Sequence, residues 1–177
     1  MKDRRIQKTK KALSEALVNL ILEKEYEKVT VQDILDRSNV GRSTFYLHYE
    51  NKEQLLLDGH NNLDVPMFMD RKTKELKFDY FFDHIAENYQ VAKAMMGKKS
   101  GVIMQRFFKN NFAHILQKKY ASEFGATKAE KYMLKYLSEA TGSAIVSLVE
   151  NWLEDEMPIA AEEMARRCER IVKAVVS

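Results

Sequence analysis

Apolar residues in this chain recur at spacings of three and four, and almost nothing interrupts them. In the first segment Ile6, Leu13, Ala16, Leu17, Leu20 and Ile21 fall on one stripe of an amphipathic helix of about five turns. Only six Gly and two Pro, Pro66 and Pro158, break the 177 residues, and alternating β-branched runs are missing. Strands and hairpins need those signals, so the chain reads all-α. Its hydrophobic fraction of 45% and charged fraction of 31% belong to a chain that folds around a core.

Several function classes are unsupported. The single Cys168 cannot close an intramolecular disulfide, and no Cys/His spacing offers a zinc site, so no metal and no cofactor is expected and a reducing, cytoplasmic location is. His48, His60, His84 and His114 are isolated from one another, and there is neither a Gly-rich phosphate loop nor a Ser/His/Asp constellation. No catalytic residue is therefore assigned, and an enzyme is not expected. The basic start followed by apolar residues resembles a secretory leader, yet Glu15 and Asn19 interrupt the apolar part and no small-residue cleavage site follows. No run approaches the roughly 20 apolar residues that span a bilayer, so no membrane partner is expected.

The formal net charge of +3 is modest, but its distribution is uneven. Lys2, Arg4, Arg5, Lys8, Lys10 and Lys11 crowd the first helix against the single acid Asp3. A solvated helix end explains such a cluster as well as a polyanion partner does.

After a charged break at residues 23–28, with Tyr26 as an anchor, Thr30 and Asp33 have the spacing of a helix start. A second helix is expected over residues 31–37, with Ile34 and Leu35 inward, and Asn39 tolerates the left-handed conformation that ends it. A third, short helix is expected over residues 42–49. A fourth starts at Asn51, with Gln54 three residues on. Past Pro66 the helices lengthen, with breaks expected at residues 97–101, 125–127 and 157–158. Residues 77–89 form a mostly buried helix carrying Phe78, Tyr80, Phe81, Phe82, Ile85 and Tyr89, and residues 101–124 form the next. Two further stripes, Met133, Tyr136, Leu137, Ala140, Ala144, Leu148 and Trp152, then Ala161, Met164, Ala165, Cys168, Ile171, Val172 and Val175, suit either one monomer's core or a dimer interface.

The third helix is too short and too polar to be only core. With Phe45 and Tyr49 inward, the 100° step of a helix turns Ser43, Thr44, Tyr46 and Leu47 away, and Arg42 is free at the first turn. A short helix joined by a tight turn to the one before it has the layout of a helix-turn-helix, whose second helix lies in the major groove. Arg42 suits guanine O6 and N7, Ser43 and Thr44 suit base edges or phosphates, and Tyr46 and His48 suit phosphate oxygens. Lys52 adds charge beside helix N–H groups that favour an anion, and Thr30 and Gln32 face the opposite edge of the groove.

The stretch TVQDILDRSNVGRSTFYLHYENKEQLL, residues 30–56, resembles the DNA-binding domain of the tetracycline-repressor (TetR/AcrR) family. Thr30, Ile34, Val40, Thr44-Phe45-Tyr46, His48-Tyr49, Lys52 and Leu55-Leu56 match in one register without gaps. The departures are Gly41, where the family often has Ser, and Asn39 in place of the usual Gly. Residues 78–101 and 145–172 are similar to the C-terminal region of a subgroup that includes the activator of dihydroxyacetone-kinase operons (DhaS-like). There the usual Ser-Pro-Glu-Glu start of the last helix is here MPIAAEE.

The resemblance implies an N-terminal three-helix DNA-binding domain over residues 1–50 and a helical effector-binding and dimerisation domain over 51–177. It implies that Thr30, Gln32, Arg42, Ser43, Thr44, Tyr46, His48 and Lys52 lie at or near double-stranded DNA. It also implies a homodimer, built as a four-helix bundle of residues 129–152 and 161–175, reading a near-palindromic operator. An effector at the C-terminal domain is then expected to tilt the fourth helix from about Asn51. Phe78, Phe81, Phe82, Tyr89, Met104, Phe107 and Phe108 are candidates to line its pocket, with core packing as the alternative. Two rival readings are a DNA-binding activator controlled by a partner protein, with no small molecule, and a helical enzyme carrying an incidental helix-turn-helix.

Overall fold

The computed structural model describes residues 4–61, 77–96, 98–124 and 126–176. Among them there are helices and no strands. The chain folds as α1 (Arg4–Glu23), a 3-10 turn (Tyr26–Lys28), α2 (Val31–Ser38), α3 (Arg42–His48) and α4 (Lys52–Asn61), followed by α5 (Phe78–Glu87), α6 (Tyr89–Met95), α7 (Lys98–Tyr120), α8 (Lys128–Glu154) and α9 (Ala161–Val176). The expected boundary at Pro66 and the breaks at Gly97 and Gly125 lie outside the described residues.

Two apolar cores result. The N-terminal one joins Leu13, Leu17 and Leu20 of α1, Ile34 and Leu35 of α2, Phe45, Tyr49, and Leu55 and Leu56 of α4. Met95 and Met104, from α6 and α7, also belong to it. Phe78, Phe81, Phe82, Phe112, Leu116, Ile145, Trp152 and Cys168 build the other from α5, α7, α8 and α9. The helices of the C-terminal half therefore reach across to brace the N-terminal one.

Helix boundaries follow local chemistry. Thr127 caps α8 by accepting the Glu130 N–H at 3.2 Å, while the Glu130 carboxylate accepts the Thr127 N–H at 2.7 Å. At the far end of α8 the chain turns through left-handed Glu156 and Met157, and the Trp152 indole N–H donates to the Ile159 carbonyl at 2.8 Å. The helix expected over residues 77–89 ends early, because the Asn88 side-chain amide donates to the His84 carbonyl at 2.9 Å and competes with the backbone ladder. Gly101, expected in a break, lies within α7. A Cβ there would stand 2.6 Å from the Met96 carbonyl oxygen, so the missing side chain serves a close approach rather than a helix end.

Three apolar placements differ from the sequence reading. Ile6 is 39% exposed, ahead of the packed part of α1, and Tyr80 is 46% exposed, turned outward between the buried Phe78 and Phe81. The stripe assigned to α8 is displaced: α7 covers Leu134, Ser138, Thr141, Gly142, Ile145, Val146 and Val149 instead. Of the expected set only Trp152 is buried, and Met133, Tyr136, Ala140 and Ala144 remain exposed on the opposite face. A 27-residue helix with small and apolar residues on two faces offers both for packing, and α7 takes one. On α9, by contrast, Met164, Ala165, Cys168 and Val172 do enter the monomer's core, so that stripe is spent on α5 and α8.

Candidate nucleic-acid interface

The interface begins with the lock that sets α2. Thr30 Oγ1 accepts the Asp33 N–H at 3.1 Å, and Asp33 Oδ2 accepts the Thr30 N–H at 2.6 Å and the Thr30 hydroxyl at 2.7 Å. Lys24 donates to the same oxygen at 2.9 Å. The Thr30 hydroxyl and the Lys24 ammonium hold the Asp33 carboxyl well below the usual carboxylate range. Arg37 forks onto both oxygens of Glu23 at 2.8 and 2.7 Å and ties the end of α2 to α1.

Asn39, at φ 53° and ψ 37°, ends α2 in the left-handed conformation expected of it. Gly41 then starts α3 without a side-chain cap. A seven-residue helix with so weak a start has little stability of its own, so it depends on packing. Phe45 is fully buried and Tyr49 is 3% exposed, with their rings 5.7 Å apart, so the two anchors read from the sequence do face inward. Tyr46 stacks edge-on against Phe45 at 5.3 Å yet stays half exposed.

On the outer side, Arg42 and Ser43 are exposed, and Thr44 and His48 are half-buried. Arg42 Nη2 donates to Gln32 Oε1 at 2.6 Å, and Gln32 Nε2 donates to Asp36 Oδ1 at 2.7 Å. The sequence named Gln32 and Arg42 separately; the fold joins them directly and fixes the far end of the Gln32 amide with Asp36, which it did not name. The signal was present in the i, i+4 spacing of Gln32 and Asp36. Leu47 is the other residue without an assigned role. At 78% exposure it extends the outer face of α3 as an apolar contact suited to a thymine methyl group.

Lys52 requires a correction. Its ammonium does not stand free for a phosphate but turns back, donating to the Tyr26 and Val29 carbonyls at 2.7 Å each and lying 4.2 Å from the centre of the Tyr26 ring. The Tyr26 carbonyl already accepts the Val29 N–H at 3.2 Å, and the ammonium adds a charged donor to it and to the Val29 carbonyl. Burial, with the nearby charges of Glu53 and Glu27, pushes the Tyr26 phenol up to about 12. The start of α4 itself forms as expected, the Gln54 N–H donating to Asn51 Oδ1 at 2.9 Å.

The expected pocket is mostly solid. Phe78, Phe81 and Phe82 are buried to 1% or less, Phe82 packing edge-on against Trp152 at 5.4 Å. Tyr89 and Phe107 are partly buried at the edges of the two cores. Of the seven candidates, Met104 and Phe108 line a cavity among the described residues, together with Ile85, Val91, Met95, Met96, Val149 and Leu153. It lies between α5, α6, α7 and α8 at the seam of the cores and holds about 70 Å³. Drug-sized ligands occupy about 300–1,000 Å³. Burial pushes the Cys168 thiol up to about 12, which keeps it protonated and unreactive. No group of three metal-ligating side chains occurs among the described residues, and no helix among them is long and apolar enough to cross a membrane.

Comparisons with known proteins agree with this geometry. Residues 13–58, spanning most of α1 through α4, match the family model for bacterial regulatory proteins of the tetR family, and residues 73–174 match a model for a transcriptional regulator C-terminal region. Both describe regulators rather than enzymes. Fifty-five residues are 47% identical to an uncharacterized HTH-type transcriptional regulator, YxbF, of Bacillus subtilis, covering 30% of this chain and 14% of that protein. Seventy-two residues are 31% identical to IcaR of Staphylococcus epidermidis, a negative regulator of the biofilm operon icaADBC, covering 41% of this chain and 31% of IcaR. The chain thus spans less than a third of either curated relative. Among solved structures, a TetR transcriptional regulator from Streptococcus agalactiae is 27% identical at a TM-score of 0.60, over 99% of this chain and 98% of that one. The dihydroxyacetone kinase operon activator DhaS shares the fold at a TM-score of 0.63 and 17% identity, over 95% and 96% of the two chains. With a helix-turn-helix braced on a helical body and both halves matched in order, the chain belongs to the TetR family of transcriptional regulators.

Proposed function

We propose that this protein is a cytoplasmic, dimeric, sequence-specific repressor that reads a near-palindromic operator in double-stranded DNA, one α3 per half-site. The observation that carries this reading is the outer face of α3: Phe45 and Tyr49 hold the helix from beneath, and Arg42, Ser43, Thr44 and Tyr46 are left beside Gln32. Arg42 reads a guanine through two donors, Ser43 and Thr44 approach base edges, and Tyr46 and His48 address phosphates, while Thr30, whose N–H and hydroxyl are both given to Asp33, fixes the start of α2 at the edge of the groove. Lys52 supports the surface from behind. The DNA-binding domain occupies residues 1–50 and the control and dimerisation domain residues 51–177.

Dimerisation is supported by the face of α8 that the monomer leaves open. Met133, Tyr136, Ala140 and Ala144 form an apolar strip whose C-terminal half is small, which permits close approach of a second copy there. Paired with α9 it makes a four-helix bundle with the second copy. Control acts at the C-terminal domain through a bound ligand. The size of the seam cavity favours a second reading, in which a partner protein docks there and the chain is an activator.

Selection of bound sequences from random duplexes, followed by anisotropy, tests the proposal. A near-palindrome with half-sites about one helical turn apart is expected, its preference lost in the Arg42→Ala, Tyr46→Ala double variant. No enriched sequence, or a double variant that binds like the wild type, contradicts it.

A further inference from the structure

We infer that Asp58 is a positioning residue that makes α4 part of the reading head, so that whatever moves α4 moves α3 with it. The inference deepens the proposed function and rests on it. Asp58 Oδ2 accepts the Tyr49 hydroxyl at 2.6 Å and the Lys10 ammonium at 2.9 Å. Lys10 also lies 5.2 Å from the centre of the Tyr49 ring. One carboxylate thus gathers α1, the cap residue of α3 and α4. The pair is sheltered, with side-chain exposures of 27% for Lys10 and 23% for Asp58, so solvent screens it less than an ordinary surface pair.

At the other end of α4, Lys52 clamps the carbonyls of residues 26–29. The head side of α4 is therefore held twice by charge-assisted hydrogen bonds six residues apart. Its body side is held more softly. Glu53 meets Arg106 of α7 at 3.0 Å, but that pair is largely exposed, at 41% and 66%. Leu55 and Leu56 share the N-terminal core with Met95 and Met104, unbranched side chains that repack at little cost, and the seam cavity lies beside those methionines. The joint consequently runs along the methionine seam: α4, although it belongs to the control domain in sequence, turns with the head as one piece.

The expected signature is in operator spacing. In full-length protein, affinity for selected half-sites separated by one base pair fewer or more than the preferred spacing falls sharply. In Asp58→Ala that discrimination falls toward one, while preference within each half-site is kept. Asp58→Asn keeps an acceptor for the Tyr49 hydroxyl and recovers part of it. If Asp58→Ala does not fold, Tyr49→Phe removes only the hydroxyl and shows the same change more weakly. Wild-type spacing discrimination in folded Asp58→Ala, or in Tyr49→Phe when Asp58→Ala does not fold, overturns the inference. Hydrogen exchange without DNA keeps the two claims apart: α3 and α4 amides open together in the wild type and separately in the variants. If the wild type selects no duplex, the DNA reading fails, and joint opening unchanged by the substitutions also rejects the latch.

Discussion

Replacing Phe45 by Ala removes the ring on which the short α3 rests. Phe45 is fully buried, with rings at 5.3 and 5.7 Å on either side, and α3 has no side-chain cap at Gly41. Truncating a buried Phe to Ala costs about 3–5 kcal/mol, and a seven-residue helix has no intrinsic stability with which to offset it. That range is about 150- to 5,000-fold in the equilibrium between docked and undocked α3. The loss stays local because Phe45 touches only the N-terminal core, whereas α8 and α9 pack in the other. Hydrogen exchange by mass spectrometry is the direct assay: amides of α3 should lose protection by about two to four orders of magnitude, those of α8 and α9 should keep theirs, and specific DNA affinity should fall in step. Full protection of α3 in the variant, or an equal loss across both halves, would refute the argument that burial of this ring is needed to hold the reading surface.

Three smaller perturbations test other parts of the account. Ser138 Oγ is buried with no hydrogen-bond partner among the described residues, so Ser138→Ala should raise stability by about 1 kcal/mol in denaturant titration, and a loss would mean that the hydroxyl has a partner. At Gly142 a Cβ would stand 2.8 Å from the Lys109 carbonyl oxygen and 3.3 Å from Phe112 Cβ. Gly142→Ala should therefore lower the melting temperature, because overpacking of about 1–3 kcal/mol outweighs a helix-propensity gain of about 1 kcal/mol, whereas a rise would show that α7 and α8 are less tightly apposed. Asp33 has a depressed native pKa, so its contribution is full above the ordinary aspartate value of about 3.9 and is lost as the pH falls from there toward the native value. Wild type should thus be more stable than Asp33→Asn at neutral pH, with the difference shrinking in acid, and a difference independent of pH would remove the charge from the explanation.

The helix order and the small reading head were legible because their signals are local. Thr30 with Asp33, Asn39 before Gly41, and Asn51 with Gln54 each announce a helix end through their own hydrogen-bonding chemistry, and each forms. Phe45 and Tyr49 were legible as anchors because four residues on a helix return to one face. What was not legible depends on which neighbour arrives. Periodicity found an apolar stripe on α8 but not which of its two faces α7 would cover, since Met133 and Leu134 serve equally well until a partner helix is placed. Lys52 illustrates the same limit in the interface. Its charge and position at the start of α4 suited a phosphate, yet nothing local announced that the carbonyls of a turn 23 to 26 residues earlier would take the ammonium. Pocket and core were not separable in sequence either, because Phe at helical spacing fills whatever space the fold leaves.

The central claim is that the outer face of α3 enters the major groove twice, once per protomer. Methylation interference at guanine N7 on a selected operator measures this directly, since that atom lies in the major groove alone. Two symmetric patches of interference, with centres about one helical turn apart and both weakened by Arg42→Ala, are expected. A single patch, or a pattern indifferent to Arg42, would contradict the account.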